Sequence, residues 1–284
     1  VLNLTINQSD TSYTNITACD SVEWNGEWYD SSGTYYNNIN NNLFSLNFNT
    51  DNNIVIYDSP ELNPSNISVA FWTKLNSHTD FNQFVNKWDG NNHQYAISQN
   101  SSGIYISFAT GVIQTSIFPA LNIWEHIAFN YSSISGQGEL YLNGQLVHSF
   151  TSSDQLIPSS NSLHIGGNSF LNSSFNSSVD GKMDNVQLWQ RVLTQNEIQQ
   201  YMSCLPDFNE LDLVGMWNFE EGTGNTVFDQ TLNGNDGTIN GATYDTNVPA
   251  QSCNLTNING CDSVAILNLT INQVDTSYTN ITVC

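Results

Sequence analysis

The chain has 284 residues with 26 acidic and only four basic side chains, giving a formal net charge of −22 and a pI near 4.1. Lys74, Lys87, Lys182 and Arg191 are too few and too scattered to form the basic patch a phosphate backbone needs, so nucleic-acid binding is excluded. No apolar run reaches the eighteen residues or so of a membrane-spanning helix, while 39% hydrophobic and 12% aromatic residues suffice for a sizeable core.

The chain opens on LNLTINQSDTSYTNIT, residues 2–17, where apolar and β-branched residues alternate with polar ones, a pattern that predicts two short strands. In SVEWNGEWYDSSGTYY, Asn25-Gly26 between Trp24 and Trp28 predicts a type I′ hairpin, since both turn positions need φ > 0. Its aromatic residues suit packing between adjacent domains or, alternatively, a platform for sugars. From about residue 43 to 190 a succession of short strands is expected: LFSLNFN, NIVIY, ISVAFWTK, QYAISQ, GIYISFA, WEHIAFNY, GELYLNG, QLVHSF, SLHIGG and GKMDNVQLWQ. Turn residues separate them at the spacing of a sandwich or jelly roll. One helix, TQNEIQQYM, follows, with Thr194 and Glu197 set to form a capping box. A further β-rich segment, 213–244, reads as an appendage to this body.

The opening stretch then returns as LNLTINQVDTSYTNIT, residues 267–282, with Ser9 replaced by Val274 and fifteen of sixteen positions identical. Leu2 and Leu267 are equivalent, the period is 265 residues, and Cys19 maps onto Cys284. The expectation is one unit of a tandem array. The five cysteines include no CxxC pair and no histidine at metal-site spacing, which argues against zinc and dithiol redox chemistry. On the repeat, Cys261 and Cys284 bracket one copy and are expected to pair. Cys204 is expected to pair with Cys253, and Cys19 with a cysteine of the preceding repeat. The boundaries follow: 1–19, the end of a β spacer module; 20–42, an aromatic hairpin linker; 43–253, the main domain with its helix over 194–203; and 254–284, the start of the next spacer.

FWTK (71–74), WEHIAFNY (124–131), ELYLNGQLV (139–147), LHIGGN (163–168) and DGKMDNVQLWQRVLTQNEI (180–198) together resemble the laminin-G-like, concanavalin-A-like jelly roll. The segment MWNFEEGTGNTVFDQTLNGNDGTING looks like that family's usual opening motif, placed here after the main body. The flanking CDSV…LNLTI pieces are similar to spacers of giant bacterial surface adhesins and filament proteins exported by type IX secretion. The resemblance implies an all-β fold: a concanavalin-A-like two-sheet jelly roll flanked by small disulfide-closed β spacer modules. It also implies an extracellular place at a bacterial cell surface. The partners it implies are neighbouring repeats, identical chains in a filament and cell-surface glycans, without membrane insertion.

The same resemblance implies calcium, held in such folds by an aspartate of the last strand and carbonyls of the terminal segments. Asp184 matches that strand position, and the loop DQTLNGNDG offers Asp229, Asn233, Asn235 and Asp236, the oxygen donors a hard cation selects. The loop reads equally as an Asx-rich turn whose side chains bond their own backbone. Asp51, Asn52 and Asn53 form a poorer second candidate. For sugar binding, KWDGNNHQ presents Trp88, Asp89, Asn91 and Asn92, with rim packing as the plainer alternative.

Glycoside hydrolysis needs two carboxylates, about 5 Å apart in retaining enzymes, which relatives carry as E-x-D-x-x-E. The nearest run here, ELDLVG, has Gly215 where the last acid belongs. The histidines are scattered and no GxSxG elbow accompanies them. The resulting expectation is a non-catalytic structural and adhesive repeat unit stabilised by calcium, with a glycan-binding module as the alternative and a glycoside hydrolase behind it.

Overall fold

The computed structural model describes residues 10–24, 27–36, 42–49, 51–78, 81–88, 93–108, 111–167, 178–251, 255–256 and 262–272. The chain divides into two compact units, Val1–Asn41 with Ser252–Cys284, and Asn42–Gln251. The first unit begins with β1 (Asp10–Cys19), β2 (Val22–Trp24), β3 (Glu27–Tyr29) and β4 (Gly33–Tyr36). The second holds β5 (Ser45–Phe48), β6 (Asn53–Ile56), β7 (Asn66–Leu75), β8 (Asn82–Trp88), β9 (His93–Asn100), β10 (Gly103–Phe108), β11 (Val112–Gln114) and β12 (Glu125–Ser132). It continues with β13 (Gln137–Leu142), β14 (Gln145–Thr151), β15 (Leu163–Ile165), β16 (Gly181–Trp189), α1 (Gln195–Ser203), β17 (Leu213–Trp217), β18 (Thr226–Val227), β19 (Gly237–Asn240) and β20 (Thr243–Asp245). Two strands, β21 (Leu255–Thr256) and β22 (Asp262–Asn272), return to the first unit.

Strands β5 to β20 build two antiparallel sheets. The front sheet runs β11-β10-β9-β8-β15-β6-β19-β18, and the back sheet β14-β13-β12-β7-β16-β5-β20, with β17 also on β16. Period-two alternation sends Ile54, Ile97, Ile106 and Ile165 inward from the front sheet and Val69, Phe71, Phe129 and Met183 inward from the back, all buried in one core. Each such side chain contributes roughly 1.5–3 kcal/mol on leaving water. Gly166 sits at φ 75, where a Cβ would stand 2.1 Å from the ring of Phe48, so only glycine closes the sheets there.

The other face of the back sheet buries a second cluster of Ala70, Ala128, Tyr141, Trp189 and Met216 beneath Ile198 and Tyr201 of α1. The helix starts where the sequence sets its cap. Thr194 Oγ1 accepts from the Glu197 amide, and Glu197 returns a carboxylate oxygen to the Thr194 amide at 2.7 Å. Thr194→Ala is expected to cost about 1 kcal/mol, read as a fall of roughly 2–4 °C in melting temperature.

Two elements depart from expectation. Strand β8 is absent from the sequence reading because its ladder with β9 slips at Gln83/Val85 and again at Lys87/Trp88. Those bulges erase the alternation that would have marked it. The 213–244 segment is not an appendage: β17 joins β16, β19 joins β6 and β20 joins β5. Trp217, Phe219, Val227 and Ile239 thereby enter the main core.

In the first unit, β2 and β3 pair with Trp24 opposite Glu27, closing a two-residue connection; Asn25 and Gly26 themselves lie outside the described residues. The two copies of the repeat do not each fold back on themselves among the described residues. Instead β1, from the first copy, lies parallel to β22, which carries the start of the second, from Asp10↔Ser263 to Cys19↔Asn272. Disulfide closure of the spacer is not seen there: Cys19 is a free, exposed thiol. Cys204 is disulfide-bonded, and Cys253, Cys261 and Cys284 lie outside the described residues.

Candidate functional site

The most unusual electrostatic feature is Asp184. It lies on β16, opposite Trp72 of β7, just before a break in register where Asn185 adopts φ 51. Trp72 donates its indole N–H to the carbonyl of Met202 in α1, which puts this row on the helix-covered side of the back sheet. Asp184 is completely buried. Its Oδ2 accepts from Asn42 Nδ2 at 2.8 Å, but Oδ1 has no partner, and neither has the buried Oδ1 of Asn42. Gln251 completes the surround, accepting from Asn185 Nδ2 at 2.9 Å and donating to Met202 O at 3.2 Å. Burial pushes the Asp184 carboxyl well above the usual range, opposed by the Asn42 hydrogen bond and reinforced by the Glu220 charge. Glu220 is itself raised by burial, against the amides of Leu43 and Phe44 that it accepts at 3.0 and 3.3 Å.

An unpaired buried carboxylate costs several kcal/mol unless a proton or cation neutralises it. Two buried oxygens here, Asp184 Oδ1 and Asn42 Oδ1, are unclaimed, and oxygen is the ligand a hard cation such as calcium accepts. Among the described residues no group of three or more His, Cys, Asp or Glu side chains is placed to hold a metal. A cation here would therefore lean on amide, backbone or water oxygens beside the one carboxylate.

The loop carrying the other expected ligands uses its oxygens internally. Asp229 Oδ1 accepts from the amides of Met216 and Thr231 at 3.0 Å, and Oδ2 from Thr231 Oγ1 and the Asn235 amide at 2.9 Å. Asp236 accepts from the Asp229 amide, Asn233 Nδ2 donates to the carbonyls of Leu213 and Val214, and Asn235 Oδ1 accepts from Ser59. The arrangement is that of an Asx turn pinning β17. Asp184 shares no partner with this loop, so the five expected metal ligands do not form one described site.

The front sheet supplies a second candidate surface on its face away from the core. Because Val85, Ile97 and Ile106 point inward, their neighbours Asn86, Ala96, Ser98, Tyr105 and Ser107 point outward, with His164 paired to Asn86 and Gln83 to Ser98. These outward rows carry hydroxyl, amide and imidazole groups and, among the described residues, no carboxylate. Asn86, Ser98 and His164 are shielded at the centre, while Gln114 and Thr238 open to solvent at the rim. Gln83 Oε1 is buried and unpartnered. Burial lowers the His164 imidazole to about 4.

Trp88 is the last residue of β8, a central strand of this sheet, and is paired with His93. Gln94, the extra residue of the bulge beside it, is fully buried with neither amide atom hydrogen-bonded. Asp89, Asn91 and Asn92 lie outside the described residues. The sequence reading missed Gln83, Gln94 and the outward rows; the polar alternation of QYAISQ was their only signal. Glu210 and Asp212, the nearest thing to a carboxylate pair, line a cleft of about 290 Å3 formed by residues 208–214 and 231–233, where Asp212 accepts from Gln190. They are not on the front sheet.

Comparison with known proteins fits this architecture. The chain is 26% identical over 149 residues to the rat sushi, von Willebrand factor type A, EGF and pentraxin domain-containing protein 1, covering 50% of this chain but only 4% of that much longer relative. A Bacteroides ovatus structure provisionally assigned to a carbohydrate binding protein superposes with a TM-score of 0.62 at 18% identity, covering 75% of this chain and 62% of that one. A heptameric pentraxin from Limulus polyphemus superposes at 0.47 and 15% identity, over 61% and 86% of the two chains. At 18% identity the Bacteroides likeness shows a shared fold and nothing finer. The match that reaches further is the profile spanning residues 48–199, more than half the sequence, from β5 through most of α1, and by it the chain belongs to the concanavalin A-like lectin/glucanases superfamily.

Proposed function

We propose that the jelly roll is a non-catalytic glycan-binding module, carried as the working part of an extracellular adhesive repeat unit. The observation that carries this reading is the outward face of the front sheet. Its neutral hydroxyl and amide groups, open to solvent at Gln114 and Thr238 on the rim, suit sugar hydroxyls and offer no described carboxylate pair for hydrolysis. The carbohydrate-binding assignment of the Bacteroides relative points the same way. Trp88 would supply an apolar ring face, and Asp89, Asn91 and Asn92 the polar contacts beside it. The test is a glycan array with wild type and Trp88→Ala. Binding to a defined glycan class, weakened about tenfold or more in the variant at unchanged melting temperature, is expected; an array with no ligand would overturn the reading.

A second, mechanical reading is favoured by one observation, the parallel pairing of β1 with β22. A sheet that ties the two repeat copies together gives each unit a fixed entry and exit, as a load-bearing surface filament needs. The Cys204 bridge, which we assign to Cys253, would add resistance to unfolding. We also assign a calcium ion to the Asp184 surround, where it would neutralise the buried carboxylate and join Asn42 of the segment entering the jelly roll to β16.

A further inference from the structure

The chain contains two versions of one strand. β1 reads DTSYTNITAC; residues 275–284 read DTSYTNITVC, differing only where Ala18 becomes Val283. The partner of β1 is β22, and both edges of β22 are filled between Ile266 and Leu269, by Tyr13–Ile16 on one side and by Tyr36–Gly33 on the other.

Residues 275–284 follow the end of β22 after only Gln273 and Val274. A two-residue connection can turn a strand back antiparallel, whereas a parallel neighbour needs a crossover of about a dozen residues or more. The segment therefore cannot take the β1 seat on the strand to which it is attached. On the β22 of another molecule no connection restrains it, and that seat is already known to accept nine of its ten residues.

The chemistry of the seat transfers without loss. The register runs over ten residue pairs, and its backbone hydrogen bonds do not depend on which copy supplies the strand. A side-chain link joins the strands as well: Asn268 Nδ2 donates to Asn15 Oδ1 at 3.0 Å, and Asn268 Oδ1 accepts in turn from Thr34 Oγ1 at 3.1 Å. Asn280 stands at the position of Asn15, and valine for alanine raises strand preference.

We infer that β22 is a docking edge for residues 275–284 of a second copy of this chain, which enters as a parallel strand in place of β1. Donor and acceptor are different surfaces of each molecule, so the contact is heterologous and propagates head to tail. In the intact chain β1 holds the seat at high effective concentration, and exchange is seen once β1 is removed. The inference rests on the repeat and the sheet, and is independent of glycan binding.

The experiment uses a chain lacking residues 1–19, with Cys284→Ser to prevent thiol coupling, followed by light scattering across micromolar concentrations. Expected are a mass at least double that of the full chain, return to the monomer on adding the peptide DTSYTNITVS, and no effect of a scrambled peptide. Removing 275–284 as well is expected to leave a monomer. Where truncation abolishes the jelly-roll melting transition, the full chain carrying Thr14→Pro, which removes a ladder donor from β1, takes its place, with uptake of the labelled peptide as the readout. Oligomers that persist without 275–284, or absence of peptide uptake by either variant, overturn the proposal.

Discussion

Acidification from pH 7.5 to 4.5 is expected to remove several kcal/mol of stability, through two buried imidazoles. His126 of β12 and His164 of β15 are each 1% exposed. Burial lowers His126 to about 3 and His164 to about 4. His126 meets the ring of Trp72 at a centroid distance of 5.3 Å, and its Nδ1 has no hydrogen-bond partner that could stabilise a proton. In the unfolded chain both titrate near the ordinary histidine value of about 6.5. The folded state thus binds fewer protons, so stability is complete above pH ~6.5 and falls as pH drops toward the folded values. At about 1.4 kcal/mol per pH unit, each imidazole withdraws roughly 2–3 kcal/mol by pH 4.5. Asp184 and Glu220, both raised, act in the opposite direction and reduce the total. Urea midpoints at pH 7.5, 5.5 and 4.5 measure the effect, and His126→Gln should show a shallower pH slope. Parallel slopes in variant and wild type would remove His126 from this account.

These two histidines also show where sequence legibility stops. LHIGG and WEHIAFNY announce strands, and alternation correctly puts Ile127, Phe129, Leu163 and Ile165 in the core. The same alternation puts His126 and His164 on outward faces, which in an open sheet would be wet. His126 is buried because α1 packs over that side of the back sheet, and His164 because it lies among large neighbours at the shielded centre of the front sheet rather than at its open rim. Coverage of that kind depends on elements distant in sequence, and no local period encodes it. The capping box was legible because its chemistry is confined to Thr194–Glu197.

The ligand candidates divide along the same line. Asp229, Asn233, Asn235 and Asp236 were visible as oxygen donors, but spacing alone cannot say whether a carboxylate faces a cation or its own backbone amides. In the fold Asp229 meets four local donors. Asp184 was visible through its place in GKMDNVQLW, while its surround is assembled from Asn42, Glu220 and Gln251, far apart in sequence. The parallel β1–β22 ladder was beyond reach for a related reason. The repeat betrays that two copies exist, but the whole jelly roll acts as the crossover that lets them lie side by side.

Calcium is expected to raise the melting temperature of the wild-type chain relative to excess EDTA, and Asp184→Asn is expected to abolish that response. A ligand present at a hundred times its Kd stabilises by about 2.7 kcal/mol, which for a domain of this size corresponds to roughly 5–10 °C. The two carboxylate candidates separate cleanly. The oxygens of Asp229 are saturated by protein donors, so Asp229→Asn should lower the melting temperature with and without calcium while leaving the difference between the two conditions intact. Asp184 has an unclaimed oxygen in a site that disfavours its charge. Replacing it with a neutral amide removes the cation's anchor and also the buried charge. In EDTA, Asp184→Asn should therefore be at least as stable as wild type, a result that loss of a purely structural hydrogen bond would not produce. A calcium response that survives in Asp184→Asn but vanishes in Asp229→Asn would move the ion to the β17 loop. No response in wild type would leave Asp184 to be neutralised by a proton, and its burial would then serve to hold Asn42 against β16 rather than to bind a metal.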